Sequence, residues 1–503
     1  MKKRDWRSAT SARHDRERAP STAPRAAWLD PRQPFLVPLL LLVASRVIAW
    51  ISIPAASEDA YITFRYARNL LAGYGLVYNP GETVMGFTSP LWTLWSALGM
   101  ALVRDPVVWT RATALLADAA TLVIAAQLLR RHVSARSAWI FAAFFAAWPY
   151  FSAVAMSGME SGVMVTLILV AAVLAQRRHP LAGPALAALA LTRPEGVAVA
   201  ALLAMRASWR DRLIAAGIVI GAGVALALYY GSPIPHSLVA KSRIYGTPGP
   251  WAGRTWWEWV FPMALGRWPI LAEGSMMLPL TVLVGPGLVA GVRNLWRKRS
   301  TPLALAAAGM LLVWAGYAAL GVAYFWWYMA VPLAGVAVVA AAGLPDLLRG
   351  RWVLAACALF VLGTWSIARP LYIGRAQNEV IGFGGAADYL SRAARPGEKI
   401  MLEPIGIIGY TVPLRVIDEV GLISPEVARR RLGGPGWYAD VAAMERPEWI
   451  AIRQTARASE QAFAGVGAPF RTPAERDSLF ARYERVHVSD PGRTDLEVWR
   501  RMR

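Results

Sequence analysis

The chain has 503 residues, 56% of them hydrophobic and 17% charged, with 53 Lys and Arg against 32 Asp and Glu. Apolar runs close to the ~20 residues that a bilayer requires recur from Phe35 to about Ile367, which excludes a string of soluble domains and marks a polytopic membrane protein. The net charge of +21 does not call for nucleic acid as a partner, because the basic residues sit in short turns between apolar runs and in the two tails, with no base-stacking surface among them.

In chain order, Met1 to Gln33 is basic and rich in Ala, Pro and Ser, and reads as a disordered cytoplasmic tail. The first span runs from Phe35 to about Ala56. Basic turns follow at Arg130, Arg131 and Arg136, at Arg177 and Arg178, at Arg206, Arg210 and Arg212, at Arg293 and Arg297 to Arg299, and at Arg349 and Arg351. The positive-inside rule places all five on the cytoplasmic side with the amino terminus. An even number of crossings then separates each turn from the next. This expectation assigns spans to 107–129, 137–155, 160–175, a Pro-interrupted pair across 181–205, 212–231, 276–292, 302–320, 324–343 and 351–367. With the first span that makes about eleven transmembrane helices. The count requires the short, Trp-rich stretch Pro90 to Val103 to lie along the membrane surface.

From Pro370 onward the apolar runs shorten. Phe383 to Arg395 reads as a helix, and Lys399 to Ile408 and Leu414 to Ile417 as strands. The expected architecture is an all-α polytopic membrane protein with a carboxyl-terminal extracytoplasmic α/β domain. Its parts are the tail 1–33, a transmembrane domain 34–369 with a structured first outer loop 57–106, and the outer domain 370–503. The expected location is the plasma membrane. The lone cysteine, Cys357, lies in an apolar run and excludes an intramolecular disulfide.

Three groups of residues could carry chemistry. Glu58 and Asp59 stand where the first span ends. Ser57 as a helix cap with two acids in the first turn explains their presence, but not their position at a membrane exit. A general base that deprotonates an acceptor hydroxyl for attack on a sugar C1 explains both. Arg193 and Glu195 flank Pro194 at the tip of the broken hairpin, where a phosphate would be a natural partner for the guanidinium. His236, Lys241 and Arg243 form a basic cluster on the outer side, against the positive-inside bias, and read as a site for a bound phosphate rather than as headgroup contacts. Arg65, Tyr66, Glu160, Glu195, Tyr245, Trp327 and Tyr328 are further substrate-contact candidates, although Trp and Tyr at a span end commonly form an interfacial belt. The sequence contains no phosphate-binding glycine loop, no H-E-x-x-H and no C-x-x-C, and its five histidines are scattered, so no metal-ligand set is assigned and a divalent ion has no support.

The stretch EDAYITFRYARNLLAGYGLVYNPGETVMGFTSPLW, from Glu58 to Trp92, resembles the first-loop signature of bacterial membrane glycosyltransferases of the GT-C fold that use lipid-linked sugars. SGMES, LTRPEG, PIPHSLVAKSRIYG and IGIIGYTVPLRVIDEVGLISPEVA extend the resemblance over most of residues 40 to 430. It is similar above all to terminal arabinofuranosyltransferases of cell-wall arabinan. The resemblance implies an inverting transferase that moves a monosaccharide, with a pentose among the candidates, from a polyprenyl-phosphate donor to a cell-envelope glycan or glycolipid. It implies Glu58 as the base, with Asp59 beside it. Arg193, His236, Lys241 and Arg243 would hold the donor phosphate. Glu58 stands where the family usually has Asp, Met85 replaces an acid, and YFWWYMAVP replaces a more polar motif. The alternative function is a transporter or flippase of lipid-linked sugars, which the broken hairpin also fits.

Overall fold

The computed structural model describes residues 35–244, 277–347 and 369–503, apart from Tyr324, Val466 and 490–494, with single helical positions at 352, 355 and 362. The expected tail 1–33, the loop beyond Ile244 with Tyr245, and nearly all of the expected span 351–367 lie outside the described residues.

Helices α1 (Leu36–Ser52), α2 (Glu58–Leu71), α3 (Pro90–Val103), α4 (Pro106–His132), α5 (Ala135–Ala147), α6 (Pro149–Met156), α7 (Ser161–Gln176), α8 (Ala182–Thr192), α9 (Gly196–Ala204), α10 (Trp209–Tyr230) and α11 (His236–Ile244) form the first half. α12 (Met277–Trp296), α13 (Pro302–Leu320) and α14 (Ala330–Leu347) follow, the last entered through a 3-10 turn at Trp326–Met329. Their starts are encoded locally. Asp105 accepts the N–H groups of Val107 (2.8 Å) and Val108 (3.1 Å) ahead of Pro106, and Ser208 with Asp211 forms a capping box for α10. Gly231 and Gly321, both left-handed, stop α10 and α13.

Among the described residues, four helical segments are long and apolar enough to cross a membrane alone: α4, α10, α13 and Trp326–Leu347. The pair α5–α6, bent by 55°, makes a fifth, and α1, α3, α7 and α8 are apolar but shorter. The expected figure of eleven therefore includes helices that are individually short or broken. The expected hairpin across 181–205 is α8 and α9, separated by Arg193-Pro194-Glu195. α10 buries only Asp211, as suits a helix facing lipid.

The helices share one apolar core drawn from α1, α4–α9 and α12–α14. α12 and α14 approach so closely that a side chain on Gly291 or Gly343 would run into the facing backbone. A charge pair lies inside this core. Arg46 on α1 is fully buried and binds Asp118 on α4 at 2.8 Å. Its remaining donors reach the Ala146 and Phe145 carbonyls, freed where α5 breaks into α6, and the Ser152 hydroxyl. The arginine thus offsets the lost helix hydrogen bonds of the kink.

From Arg369 to Ala393 the chain is a continuous helical run with wider π-type turns, which includes the expected helix at 383–395. A five-stranded sheet follows in the order β2-β1-β3-β5-β4: β1 (Lys399–Leu402), β2 (Arg415–Asp418), β3 (Trp449–Arg453), β4 (Tyr483–Val488) and β5 (Leu496–Arg501). β1 pairs in parallel with β2 and β3, while β5 is antiparallel to β3 and β4. The expected strand 399–408 is a correction: it stops at Leu402, and the chain turns into a short helix, α15 (Ile407–Thr411), at Gly406-Ile407.

Alternation gives the sheet two apolar faces. Met401, Ile417, Ile450 and Ile452 pack on the helices Pro425–Gly433, Trp437–Glu445 and Pro473–Phe480. Ile400, Leu402, Val416 and Trp449 pack instead with Ile62, Tyr66, Tyr78 and Phe87. The first loop and the carboxyl-terminal domain therefore share a single core.

Breaking a buried ion pair by removing one partner costs about 3–5 kcal/mol. Arg46→Met is expected to lower the thermal stability of the purified protein sharply, and Arg46→Met with Asp118→Leu to unfold at a higher temperature than either single variant. A double variant no more stable than the singles would show that the stranded charge is not the cause.

Candidate active site

The acid pair begins α2 at the point where α1 ends. Arg111 of α4 shapes that exit, donating to the carbonyls of Ile53 (3.0 Å), Ala55 (2.8 Å) and Met156 (3.2 Å). Ser57, the cap expected from the sequence, makes no side-chain cap hydrogen bond. The first amide of α2, on Glu58, donates instead to Glu379 Oε2 (3.3 Å), so the helix is capped by a carboxylate from the other half of the chain. Arg375 holds Glu379 in turn at 3.1 Å.

Glu58 Oε1 accepts the Gly406 N–H in a short hydrogen bond. Gly406 is required by this approach, because a Cβ there would meet the Glu58 carbonyl oxygen. Burial first, then the neighbouring charges of Asp59, Glu403 and Glu379, push the Glu58 carboxyl well above the usual glutamate range, against the opposing Gly406 hydrogen bond. Arg453 compensates Glu403 at 2.9 Å. Among the described residues no three His, Cys, Asp or Glu side chains are grouped as a metal site would require.

The rest of α2 is a clamp. Arg65, 2% exposed, donates to the carbonyls of Tyr78 (2.9 Å), Gly409 (2.6 Å) and Leu414 (2.7 Å) and to Asn79 Oδ1 (3.3 Å). Asn79 pairs both ways with Val416, accepting its N–H at 3.0 Å and donating to its carbonyl at 2.8 Å. The Tyr66 hydroxyl bridges the Val84 carbonyl (2.6 Å) and the Gly86 N–H (2.8 Å). Arg65 and Tyr66, expected at the substrate, are thus buried with their polar atoms engaged by the protein.

A cavity of about 530 Å³ lies between the hairpin tip, α11, α13 and the 3-10 turn. Leu312, Gly316 and Leu320 give it an apolar wall; Lys241, Arg193 and Glu195 make its polar side. Leu238, Lys241 and Ser242 reach it because they share one face of α11. The Lys241 ammonium lies 4.8 Å from the Phe325 ring centroid and, among the described residues, has no carboxylate within ion-pair distance. Burial works against its charge, but Tyr328 and Asp59 outweigh this and hold it above the usual lysine range. Asp59 thus acts on the cation electrostatically, although neither Glu58 nor Asp59 lines the cavity itself.

The other expected phosphate ligands are placed differently. Arg193, 5% exposed, donates through Nε to Glu195 and through Nη1 to Glu160, each at 2.5 Å, with Tyr328 under its guanidinium at 4.5 Å. Two of its nitrogens are committed to carboxylates. His236 lies 3.0 Å through Nε2 from the Gly421 carbonyl, and burial lowers its pKa. A neutral ring donating from Nε2 leaves Nδ1 as an acceptor, which does not suit a phosphate. Arg243 is exposed and does not line the cavity. Trp327 is buried away from it, with no partner for Nε1 among the described residues, whereas Tyr328 lines the cavity, with Tyr317 stacked on it at 5.5 Å and the Arg193 guanidinium over its ring. Glu379, Glu403, Gly406 and Tyr317 were not singled out by the sequence. No local pattern marks them, since each acts across more than 100 residues.

A family model described as a domain of unknown function (DUF8728) matches residues 371–499. A terminal β-(1→2)-arabinofuranosyltransferase of Corynebacterium glutamicum is 29% identical over 324 residues, which are 52% of this chain and 45% of that protein. The chain thus matches less than half the length of that curated relative. Among solved structures, ArnT from Cupriavidus metallidurans bound to undecaprenyl phosphate superposes with a TM-score of 0.59 at 12% identity, covering 92% of this chain and 97% of the other. The Archaeoglobus fulgidus oligosaccharyltransferase tethered to an acceptor peptide gives 0.52 at 11% identity, covering 93% and 74%. The likeness over nine-tenths of the chain shows that this protein has the GT-C fold, that of polytopic membrane glycosyltransferases.

Both contacts that seat the acid pair can be removed separately. Glu379→Ala, which deletes the cap, is expected to cost about 1 kcal/mol at the start of α2. Gly406→Ala, which displaces Glu58, should loosen the same turn. Hydrogen exchange of the 58–62 amides should speed up in both variants; unchanged protection would mean that α2 is held elsewhere.

Proposed function

We propose that the protein is a glycosyltransferase that moves a monosaccharide from a polyprenyl-phosphate donor to a hydroxyl of a cell-envelope glycan or glycolipid on the outer face of the plasma membrane. The observation that carries this reading is the cavity with an apolar wall on α13 and, opposite, a lysine that has no carboxylate within ion-pair distance among the described residues and on which Asp59 acts electrostatically. Its volume of about 530 Å³ falls in the range of small-molecule sites. An amphiphile with a phosphate between a hydrocarbon tail and a sugar matches this distribution of polarity. The lipid phosphate in the ArnT structure is a ligand of that chemistry.

In the proposed reaction the acceptor oxygen attacks the sugar C1 from the face opposite the phosphate. The C1–O bond breaks, polyprenyl phosphate leaves, and the anomeric configuration inverts. Lys241 stabilises the charge that grows on the leaving phosphate, where a cation in a water-poor site is most effective. Glu58 accepts the acceptor's proton. A carboxyl held above its ordinary range is a stronger base than an exposed glutamate. Asp59, beside it, keeps Lys241 protonated and raises the basicity of Glu58.

Transfer from a polyprenyl-phosphoryl pentose or hexose, supplied to proteoliposomes on the face that carries the sheet domain, tests this and separates it from transport. Glu58→Gln, which preserves the shape facing Gly406, should lower kcat by about 10²–10⁴. Lys241→Ala should weaken donor use. Wild-type turnover in Glu58→Gln would remove the assignment.

The pH dependence has a defined sign. Glu58 works only when deprotonated, so activity should climb as pH rises through its elevated pKa. Glu403→Gln removes one of the charges that raise it and should shift the acidic limb to lower pH. A limb that stays put or moves upward would contradict Glu58 as the base.

A further inference from the structure

The polar side of the cavity also holds a group that the chemistry above leaves unused. There Glu195 Oε1 accepts both Arg193 Nε, at 2.5 Å, and the Tyr317 hydroxyl. No donor among the described residues reaches Glu195 Oε2. Arg193 also binds Glu160, so one guanidinium faces two carboxylates and the group carries a net negative charge. Glu195 and Tyr317 both line the cavity, and the Glu195 side chain is only 17% exposed.

A carboxylate oxygen in so sheltered a place is costly without a donor. The surplus negative charge disfavours a phosphate here. It favours a neutral group that donates a hydrogen bond. Glu195, Arg193, Tyr317 and Lys241 line the same cavity, so one ligand can meet both this cluster and the lysine. In a lipid-linked sugar the hydroxyls are the donors that lie within one ring of the phosphate.

We infer that Glu195, held in place by Arg193 and Tyr317, forms the subsite that reads the donor's sugar, with Glu195 Oε2 accepting a hydrogen bond from a ring hydroxyl while Lys241 holds the phosphate. Tyr317 and Arg193 are positioning residues: each fixes Oε1 and so aims the second oxygen. Glu160 keeps Arg193 in line. The substrate class is a lipid phosphate bearing a sugar with a free hydroxyl near the glycosidic carbon. This inference rests on the donor reading above and deepens it.

The test measures binding rather than turnover. Polyprenyl phosphate alone, polyprenyl-phosphoryl arabinofuranose and polyprenyl-phosphoryl mannose are titrated into the full-length protein in nanodiscs, as wild type, Glu195→Gln, Tyr317→Phe and Lys241→Ala. Wild type should bind at least one sugar-bearing lipid tighter than the bare phosphate. Both Glu195→Gln and Tyr317→Phe should reduce that preference about tenfold, as loss of a hydrogen bond to a charged group would, and leave the affinity for bare lipid within about twofold. The inference is overturned if wild type shows no preference for either sugar, if the preference survives in both variants, or if the bare lipid is lost with it, since the cluster is then only structural. Unchanged binding of the bare lipid by Lys241→Ala would overturn the donor reading itself, independently of the Glu195 result.

Discussion

The arrangement depends on the saturation of one buried guanidinium. Arg65 lies on α2, two turns after Glu58 and on the same face, and it can be buried only because three carbonyls and Asn79 accept its hydrogens. Two of those carbonyls, on Gly409 and Leu414, belong to the carboxyl-terminal domain. An arginine stripped of water without such acceptors costs several kcal/mol. The helix that carries Glu58 and Asp59 is thus bound to the far domain by a polar requirement as well as by the shared apolar core. Glu379 and Gly406 then complete the seat from the same side.

The charged groups divide by how completely they are paired. Arg46 sits in the helical core with its donors engaged and Asp118 as its counter-charge, and its place at the α5–α6 break is structural. Arg193 is intermediate: two carboxylates hold it, yet it borders the cavity. Among the described residues, Lys241 has aromatic and long-range electrostatic support alone. Low dielectric makes unpaired charge expensive, and a protein that keeps such a lysine beside a cavity has room there for an anion.

Much of this was legible in the sequence, for identifiable reasons. The apolar runs and the Pro-containing break at 193–195 are local signals, and they reappear where hydropathy places them. The acid pair stood out because it follows a span. The internal charge pair did not, because Arg46 and Asp118 each look like a lone polar residue in an apolar run. Arg65 and Tyr66 were read as facing substrate because a short amphipathic helix does not reveal which surface covers its polar side. The sheet was read only in part: β4 and β5 are dense in Arg and Glu, and a buried carboxylate, Glu497 on β5, paired with Arg485 of β4 and with Arg457, blurs the apolar alternation. The turn at Gly406 broke a run that otherwise had strand composition, and its cause, the backbone of Glu58, lies almost 350 residues away in sequence.

The pairing of Asn79 with β2 bears on how the chain could be divided. β2 ends the sheet, and its outward-facing hydrogen-bonding groups at Leu414 and Val416 are met by Arg65 and Asn79 from the first loop. The stretch matched as a family of its own, 371–499, contains this edge but not the residues that close it. Expressed by itself, such a fragment would offer a bare strand and the uncovered apolar face of Ile400, Leu402 and Trp449 to its own copies. The unit that sequence comparison delimits is therefore smaller than the unit that can stay soluble, and crystallisation or immunisation with the isolated segment would need residues 58–87 supplied alongside it.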